Sequence, residues 1–175
     1  MAKYAKKVDI RAHGSGNVGA TNVSRVLGKG YGLLVFGLDF LKGLTPVTAA
    51  TVFLPAHTQD ISLPAWIGLA AIVGHIYTPF LGFKGGKGVA TGAGVVCASF
   101  PLIFALAMGV WVVTFVSTRI VSISSLFAIV TLVVLSWVFS LSGWDRLFLG
   151  TLLVLGAWTH RANLLRLSQG AEKRF

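Results

Sequence analysis

The stretch LPAWIGLAAIVGHIYTPFLGF (Leu63–Phe83) runs directly into KGGKG (Lys84–Gly88). The first part is an apolar segment of about the 20 residues that a membrane-crossing helix needs. The second part combines glycines with cations, which favours a polar loop where the helix leaves the lipid. Because only helices and closed barrels satisfy their backbone groups in lipid, this pattern indicates an all-α integral membrane fold.

The composition of the whole chain agrees with a membrane protein. Of its 175 residues, 55% are hydrophobic and only 11% are charged, whereas about a quarter of the residues in soluble domains are charged. The polar residues cluster between apolar runs, so we predict a single membrane-embedded domain over residues 1–175. The single cysteine, Cys97, excludes a disulfide scaffold. The basic start Met1–Lys7 is not followed directly by the apolar core of a signal peptide.

Further apolar runs lie on both sides of Leu63–Phe83. They are Tyr31–Ala56, Val121–Ser140, Trp144–Thr159 and the longer stretch Gly88–Thr118. The longer stretch exceeds one ordinary span, and Ser99-Phe100-Pro101 breaks it near the middle. As a helical hairpin it leaves every Lys and Arg except Arg146 and Lys42 on one side of the membrane. As a single crossing it would place Arg119 and the C-terminal cations outside, so the positive-inside rule favours the hairpin.

We therefore predict a polytopic bundle of six helices in the bacterial inner membrane, with glycine-rich loops and the active site facing the cytoplasm. Whether 88–118 crosses twice or forms a re-entrant pair stays open. The net charge of +10 comes from cations that flank the spans, and no nucleic-acid motif accompanies them, so no nucleic-acid partner is expected. Asp39 and Lys42, one turn apart inside the first run, are either a mutual ion pair or groups near a site entrance.

The first polar motif is GSGNVGATNVSRVLG (Gly14–Gly28). It predicts two turns of helix that end at Gly28, with Ser15 or Asn17 capping the first turn. Free amides at a helix start, approached closely beside a glycine such as Gly16, form an anion site. Arg25 would extend that site with a guanidinium. The alternative is a flexible loop with a solvated arginine.

The second polar motif contains Lys84, Gly85, Gly86, Lys87 and Gly88. It lacks the Walker spacing GxxxxGK[ST], and no strand precedes it, so nucleotide hydrolysis is weakly supported. Two lysines in a glycine hinge would neutralise a phosphate while backbone amides solvate it. Alternatively, the lysines anchor a helix end at lipid headgroups. His75, near the end of the preceding span, is more often structural than catalytic in such a position.

The third polar motif is HRANLLRLSQGAEK (His160–Lys173). His160, Asn163 and Arg166 are spaced i, i+3, i+6, so neighbours lie along one strip of a helix that leaves the membrane. An amphipathic tail on anionic lipid is the alternative. Glu172 is expected to pair with a local arginine. Since no metal-ligand cluster, HxxxxD pattern or evident Ser-His-Asp set occurs, we expect neither a metal nor a cofactor.

Together the three motifs resemble those of the bacterial acyl-phosphate:glycerol-3-phosphate acyltransferase family, PlsY. The resemblance rests on SGNxGATN, GHxxxPFxxFKGGKGVAT and HRxNLxRLxxGxEK, in that order along nearly the whole chain. It implies an enzyme of phospholipid biosynthesis that transfers an acyl group from a fatty acyl phosphate to the 1-hydroxyl of sn-glycerol 3-phosphate. Its products would be lysophosphatidate and phosphate. Family members usually have one earlier span with a GSxPxG signature, so the resemblance implies seven helices in the full fold, the first being absent from this chain.

The resemblance also implies roles for residues at motif positions. Ser15, Arg25 and Lys84 would bind phosphate, His160 and Asn163 would bind glycerol phosphate or the acyl-phosphate group, and Gly85, Gly86 and Gly88 would shape the glycerol-phosphate loop. The predicted catalytic residues are His160, Asn163 and Ser15. The predicted substrate-binding residues are Ser15, Gly16, Asn17, Arg25, Lys84, Gly85, Gly86, Lys87, Gly88, His160 and Asn163.

Acyl phosphates are mixed anhydrides with a good leaving group, so the enzyme must chiefly hold two phosphates near each other. We expect a substrate phosphate oxygen to accept the hydroxyl proton, with His160 positioning rather than abstracting. The competing classes are a transporter of an anionic metabolite and a purely structural subunit. Transporters tend to show internal repeats and midplane sites, whereas these motifs lie at helix ends and no repeat is visible.

Overall fold

The computed structural model describes residues 8–55 and 62–175, and within these ranges the chain is helical without strands. Its eight α-helices are α1 (Ala20–Leu27), α2 (Lys29–Phe53), α3 (Leu63–Ile76), α4 (Val89–Ser99), α5 (Pro101–Thr118), α6 (Val121–Val138), α7 (Gly143–Thr159) and α8 (Arg161–Ser168). Two 3-10 turns cover Ile10–Ala12 and Pro79–Leu81. The all-α prediction is confirmed.

The predicted count of six helices is wrong for this part of the chain. Helices α2 to α7 correspond to the six predicted helices of the five apolar runs, but the first and third polar motifs form α1 and α8, of eight residues each. Helix was predicted in both motifs, as two turns ending at Gly28 and as a helix leaving the membrane at His160, but neither was counted, because both are too polar and too short to be spans. The predicted break inside 88–118 is present, since α4 ends before Phe100 and Pro101 begins α5.

Among residues 8–55 and 62–175, four segments are long and apolar enough to cross a membrane. They are α2, α5, α6 and the stretch Leu63–Leu81, which begins with α3. The 11 residues of α4 extend only about 16 Å, roughly half of the hydrocarbon thickness. The outward faces are strongly apolar: Leu33 is 72% exposed and Val154 is 70% exposed. Exposed apolar surface on this scale is the contact face for lipid, and the chain is therefore a multi-pass membrane protein.

Helices α2, α3 and α4 approach one another closely through glycines. A Cβ on Gly43 of α2 would lie 2.0 Å from the Thr91 carbonyl oxygen, and one on Gly94 of α4 would lie 2.0 Å from the Phe40 carbonyl oxygen. A Cβ on Gly68 of α3 would lie 2.5 Å from a methyl group of Val95. Small residues that let backbones touch are the usual means of packing helices in lipid. These contacts hold α4, which begins directly after the glycine-rich loop, against α2 and α3.

Candidate active site

The loop before α1 is organised by Asn22, a residue that the sequence analysis did not single out. Its side chain is 1% exposed. The amide nitrogen donates to the carbonyls of His13 at 3.0 Å and Asn17 at 2.9 Å, and the amide oxygen accepts from the Ser15 backbone at 2.8 Å. A Cβ on Gly14 would lie 2.1 Å from the same oxygen. One buried amide thus holds the loop that contains Ser15, Gly16 and Asn17.

The predicted cap of α1 is wrong. The helix begins at Ala20 with Gly19 as its N-cap, and no side chain caps it. Ser15 lies too early, because its backbone is bound to Asn22, and Asn17 instead accepts a hydrogen bond from the Gly19 backbone at 2.8 Å. The predicted helix end is confirmed: Gly28 follows α1 with φ of 99°, a left-handed value that favours glycine.

The glycine-rich loop folds back on the end of α3. The Gly85 amide donates to the Ile76 carbonyl at 2.9 Å, and the Gly86 amide donates to the His75 carbonyl at 3.3 Å. Carbonyls at a helix C-terminus need such partners. A Cβ on Gly85 would lie 1.9 Å from the His75 carbonyl oxygen, so the turn has no room for a side chain there.

The two lysines of this loop point in different directions. Lys87 Nζ donates to Asn163 Oδ1 at 2.5 Å. Lys84 is exposed, and within residues 8–55 and 62–175 its ammonium has no hydrogen-bond or ion-pair partner. Burial lowers the pKa of Lys87 to about 8, a shift that Glu172 opposes and that the charges of Arg166 and Arg25 reinforce. Lys87, and not Lys84, therefore joins the third motif.

The third motif builds a hydrogen-bonded network around Glu172. Its carboxylate accepts from Asn163 Nδ2 at 2.5 Å, from Arg166 Nε at 2.7 Å and from Ser122 Oγ at 2.9 Å. Although burial favours the neutral acid, these three hydrogen bonds hold the pKa of Glu172 below its ordinary value. The predicted pairing of Glu172 with a local arginine is confirmed. Ser122 was missed, because a serine in an apolar run carries no sequence signal of a site.

His160 is 2% exposed, at the junction of α7 and α8. Its Nδ1 lies 2.8 Å from the Gly156 carbonyl oxygen, and since a carbonyl only accepts, Nδ1 carries the proton and Nε2 the lone pair. Burial, followed by the charge of Lys87, lowers the pKa of His160 to about 4. At neutral pH the imidazole is therefore an uncharged hydrogen-bond acceptor.

Arg25 connects the first motif to the other two. Its guanidinium donates to the Lys173 carbonyl at 3.1 Å, and it interacts electrostatically with Glu172, Arg166 and Lys87. Beside it lies a cleft of about 380 Å³. Its lining residues are Ser24, Arg25, Lys29, Arg119, Lys173, Arg174 and Phe175.

The structure thus brings Arg25, Lys87, His160 and Asn163 together with Arg166 and Glu172. Ser15, Gly16 and Asn17 lie in the loop that Asn22 organises, and Gly85, Gly86 and Gly88 form the turn that directs Lys87. The cluster has three cations against one carboxylate, which suits a doubly negative phosphate group. Across the described ranges, no three His, Cys, Asp or Glu side chains lie together as metal ligands do.

Comparison with known proteins identifies the family. Residues 1–170 match the family model described as glycerol-3-phosphate acyltransferase. The glycerol-3-phosphate acyltransferase of Aquifex aeolicus (strain VF5) is 44% identical, over 97% of this chain and 87% of that protein. That of Myxococcus xanthus (strain DK1622) is 42% identical, over 100% and 90% respectively. The crystal structure of PlsY, an integral membrane glycerol 3-phosphate acyltransferase, in its glycerol 3-phosphate form matches with a TM-score of 0.92 and 42% identity, over 98% of this chain and 84% of that chain. A lysophosphatidic acid form matches with a TM-score of 0.88 and 41% identity, over 99% and 86%. This chain belongs to the glycerol-3-phosphate acyltransferase family.

Proposed function

We propose that this protein transfers an acyl group from a fatty acyl phosphate to the 1-hydroxyl of sn-glycerol 3-phosphate. The products are lysophosphatidate and inorganic phosphate, and the reaction supplies phospholipid biosynthesis. The main support is the partly buried hydrogen-bonded network of Lys87, Asn163, Arg166 and Glu172, built from two motifs that the family resemblance assigns to substrate. Relatives solved with glycerol 3-phosphate and with lysophosphatidic acid support the same substrate and product.

Substrate phosphate binds to the cationic cluster. Arg25 and Arg166 offer planar guanidinium donors, and Lys87 offers a partly buried ammonium whose pKa burial lowers to about 8. Asn163 holds that ammonium through its Oδ1, while its own amide is fixed by Glu172. Ser15, Gly16 and Asn17 offer a further hydroxyl and polar groups in the loop beside α1, and Lys84 meets phosphate as it arrives at the surface.

The chemical step follows from the donor. The hydroxyl oxygen of glycerol 3-phosphate attacks the acyl carbonyl carbon, the bond from that carbon to the phosphate oxygen breaks, and phosphate leaves. The hydroxyl proton passes to a substrate phosphate oxygen, because neither His160 nor Glu172 is a strong base here. The protein contributes orientation of the two substrates and electrostatic stabilisation of the transition state, the two largest means by which enzymes lower the barrier to acyl transfer.

The site lies on the cytoplasmic side of the bacterial inner membrane, in a single membrane-embedded acyltransferase domain. The positive-inside rule supports this orientation, since the hairpin arrangement leaves every Lys and Arg except Lys42 and Arg146 on the side that carries the three motifs. The acyl chain lies among the apolar helices and enters laterally from the inner leaflet, so membrane lipid and the two substrates are the partners of the protein. Glycerol 3-phosphate approaches from the water.

The test is a reconstituted assay. The purified protein in liposomes is given a fatty acyl phosphate and glycerol 3-phosphate, and phosphate release and lysophosphatidate are measured together. We expect both products in equal amounts, and neither without glycerol 3-phosphate. Lysophosphatidate formed from acyl-CoA but not from acyl phosphate would assign another donor, and the absence of product with either donor would contradict the proposal.

A further inference from the structure

A second polar cluster lies inside the bundle, next to the glycine-rich loop. Asp39 of α2 is 7% exposed. Its Oδ1 accepts from Lys42 Nζ at 2.7 Å and lies 3.4 Å from His75 Nδ1 of α3. The ion pair that the sequence left as one of two alternatives is therefore present, but the carboxylate also reaches a second helix. Buried carboxylates are costly in a membrane-spanning segment. The ion pair with Lys42 accounts for one contact of Asp39, and the contact with His75 requires a separate explanation.

The contact fixes the orientation of His75. A carboxylate only accepts hydrogen bonds, so the Nδ1 that faces Asp39 carries the proton. The opposite ring nitrogen then faces the glycine-rich loop: a Cβ on Gly86 would lie 2.1 Å from His75 Nε2. The imidazole is thus held between the carboxylate on one side and the loop backbone on the other.

The same histidine also holds the loop through its backbone. Its carbonyl accepts from the Gly86 amide at 3.3 Å, and the next carbonyl, that of Ile76, accepts from the Gly85 amide at 2.9 Å. Lys87 follows directly and donates to Asn163 at 2.5 Å. A rotation of the imidazole would therefore change the space available to Gly86 and the direction in which Lys87 leaves the turn.

We propose that Asp39 is a positioning residue for substrate phosphate, acting through His75 on the Gly85–Gly86 turn and hence on Lys87. This inference rests on the proposed function, since it takes Lys87 as a phosphate-binding group. Asp39 touches no substrate. Its role requires a hydrogen-bond acceptor towards His75, and the Lys42 ion pair serves to neutralise it within the membrane.

The experiment compares Lys42→Met, Asp39→Asn and the double variant Asp39→Leu/Lys42→Met. Lys42→Met keeps the contact with His75, and Asn at 39 keeps an acceptor, so both should retain a KM for glycerol 3-phosphate within about twofold of wild type. The double variant removes the acceptor without leaving an unpaired lysine. Its KM should rise about tenfold, as expected for one lost hydrogen bond to a charged group, with kcat changed less. Asp145→Asn is the matched control, since Asp145 bonds Ser62 and Ser142 at the far end of the bundle.

Coupling to Gly86 separates positioning from general damage. Gly86→Ala should raise the KM strongly in wild type, where His75 blocks the added Cβ, and much less in the double variant, where the imidazole is free to turn away. Such non-additivity is what contact between two positions produces. If the double variant does not unfold cooperatively in detergent, His75→Ala replaces it in the same cycle. Additive effects, or equal damage from Asp39→Asn and the double variant, would overturn the proposal.

A direct measurement of glycerol 3-phosphate binding separates a failure of the Asp39 proposal from a failure of the proposed acyl transfer. Calorimetric titration with glycerol 3-phosphate needs no acyl donor and no turnover. Weaker binding in the double variant, with unchanged binding in Lys42→Met, supports the role of Asp39 even if acyl phosphate is not the donor. No binding to the wild-type protein, or equal binding to wild type and the double variant, would refute it.

Discussion

Replacement of Lys87 by Met, compared with the same change at Lys84, tests which lysine of the glycine-rich loop binds substrate. Met keeps an unbranched apolar side chain close in size to the lysine stem and removes the ammonium. Lys87 is partly buried and bonded to Asn163, whereas Lys84 is exposed and unpaired within the described ranges. The family resemblance had pointed to Lys84 as the phosphate ligand, whereas the geometry points to Lys87. The two substitutions therefore decide between these assignments.

The expected magnitude follows from the environment of each lysine. A unit charge about 4 Å from one phosphate charge interacts by ~4 kcal/mol at the effective dielectric of ~20 that suits partly buried groups. Desolvation offsets part of this, and a hydrogen bond to a charged group contributes about 1.5–3 kcal/mol net. We therefore expect Lys87→Met to lower kcat/KM at least about thirtyfold, since each 1.4 kcal/mol is tenfold. Lys84→Met should stay within about threefold, because exposed charges are screened by salt.

The assay is phosphate release in liposomes over a range of glycerol 3-phosphate concentrations, in low and high salt. The Lys84→Met effect should shrink with added salt, and the Lys87→Met effect should persist. Melting temperatures in detergent check that both variants remain folded. A larger loss from Lys84→Met than from Lys87→Met would refute the assignment and return the phosphate-binding role to Lys84.

Three further outcomes are expected. First, kcat/KM should fall as pH rises through about 8, because Lys87 binds phosphate as a cation and its pKa in the free protein is about 8. A pH–rate profile checks this, and a kcat/KM that stays constant above pH of about 8 would contradict it. Second, His160→Ala should lower kcat about tenfold or more without shifting the pH–rate profile. The reason is that the pKa of His160 is about 4 and lies outside the assayed range. A shifted profile would instead identify His160 as the base. Third, Asn22→Ala should lower the melting temperature and raise the KM, since it leaves buried groups unpaired at about 1–3 kcal/mol each; thermal unfolding with and without glycerol 3-phosphate measures both effects.

The fold could be predicted from sequence wherever apolar length alone decided it. The run ending at Phe83 and the break at Phe100-Pro101 were visible because lipid permits few backbone arrangements. The count of six was wrong because it covered only the apolar helices, while the short helices expected in the first and third polar motifs, α1 and α8, were left out of it. Their tertiary contacts could not be predicted either. Arg25 reaches the C-terminal tail across 148 positions of sequence, and Asn163 reaches Glu172 and Lys87. No local pattern encodes such pairings, and short polar helices depend on them.

The residue types of the candidate site could be predicted from sequence, but the directions in which its side chains point could not. The motifs identified Arg25, His160 and Asn163 as members of one cluster, and the structure brings them together. They gave both lysines as substrate-binding, and the resemblance assigned phosphate to Lys84. The local pattern does not show which side chain turns inward, because both lysines flank the same glycines. In the structure Gly85 and Gly86 pair with the end of α3, Lys87 reaches Asn163 and Lys84 is exposed. Asn22 and Ser122 were missed because their roles depend on burial, which single residues in a sequence do not report.

The charges and pKa values of the cluster indicate which group accepts the proton of the attacking hydroxyl. Lys87 is protonated below pH of about 8, and Glu172 is held ionised by three hydrogen bonds that a proton would have to displace. The neutral His160 has a free Nε2, but a pKa of about 4 makes it a weak base at neutral pH. A substrate phosphate, whose second pKa is about 6, is a better acceptor than either. For the proposed reaction, we therefore expect the clustered residues to supply charge and orientation, and the substrate to supply the base.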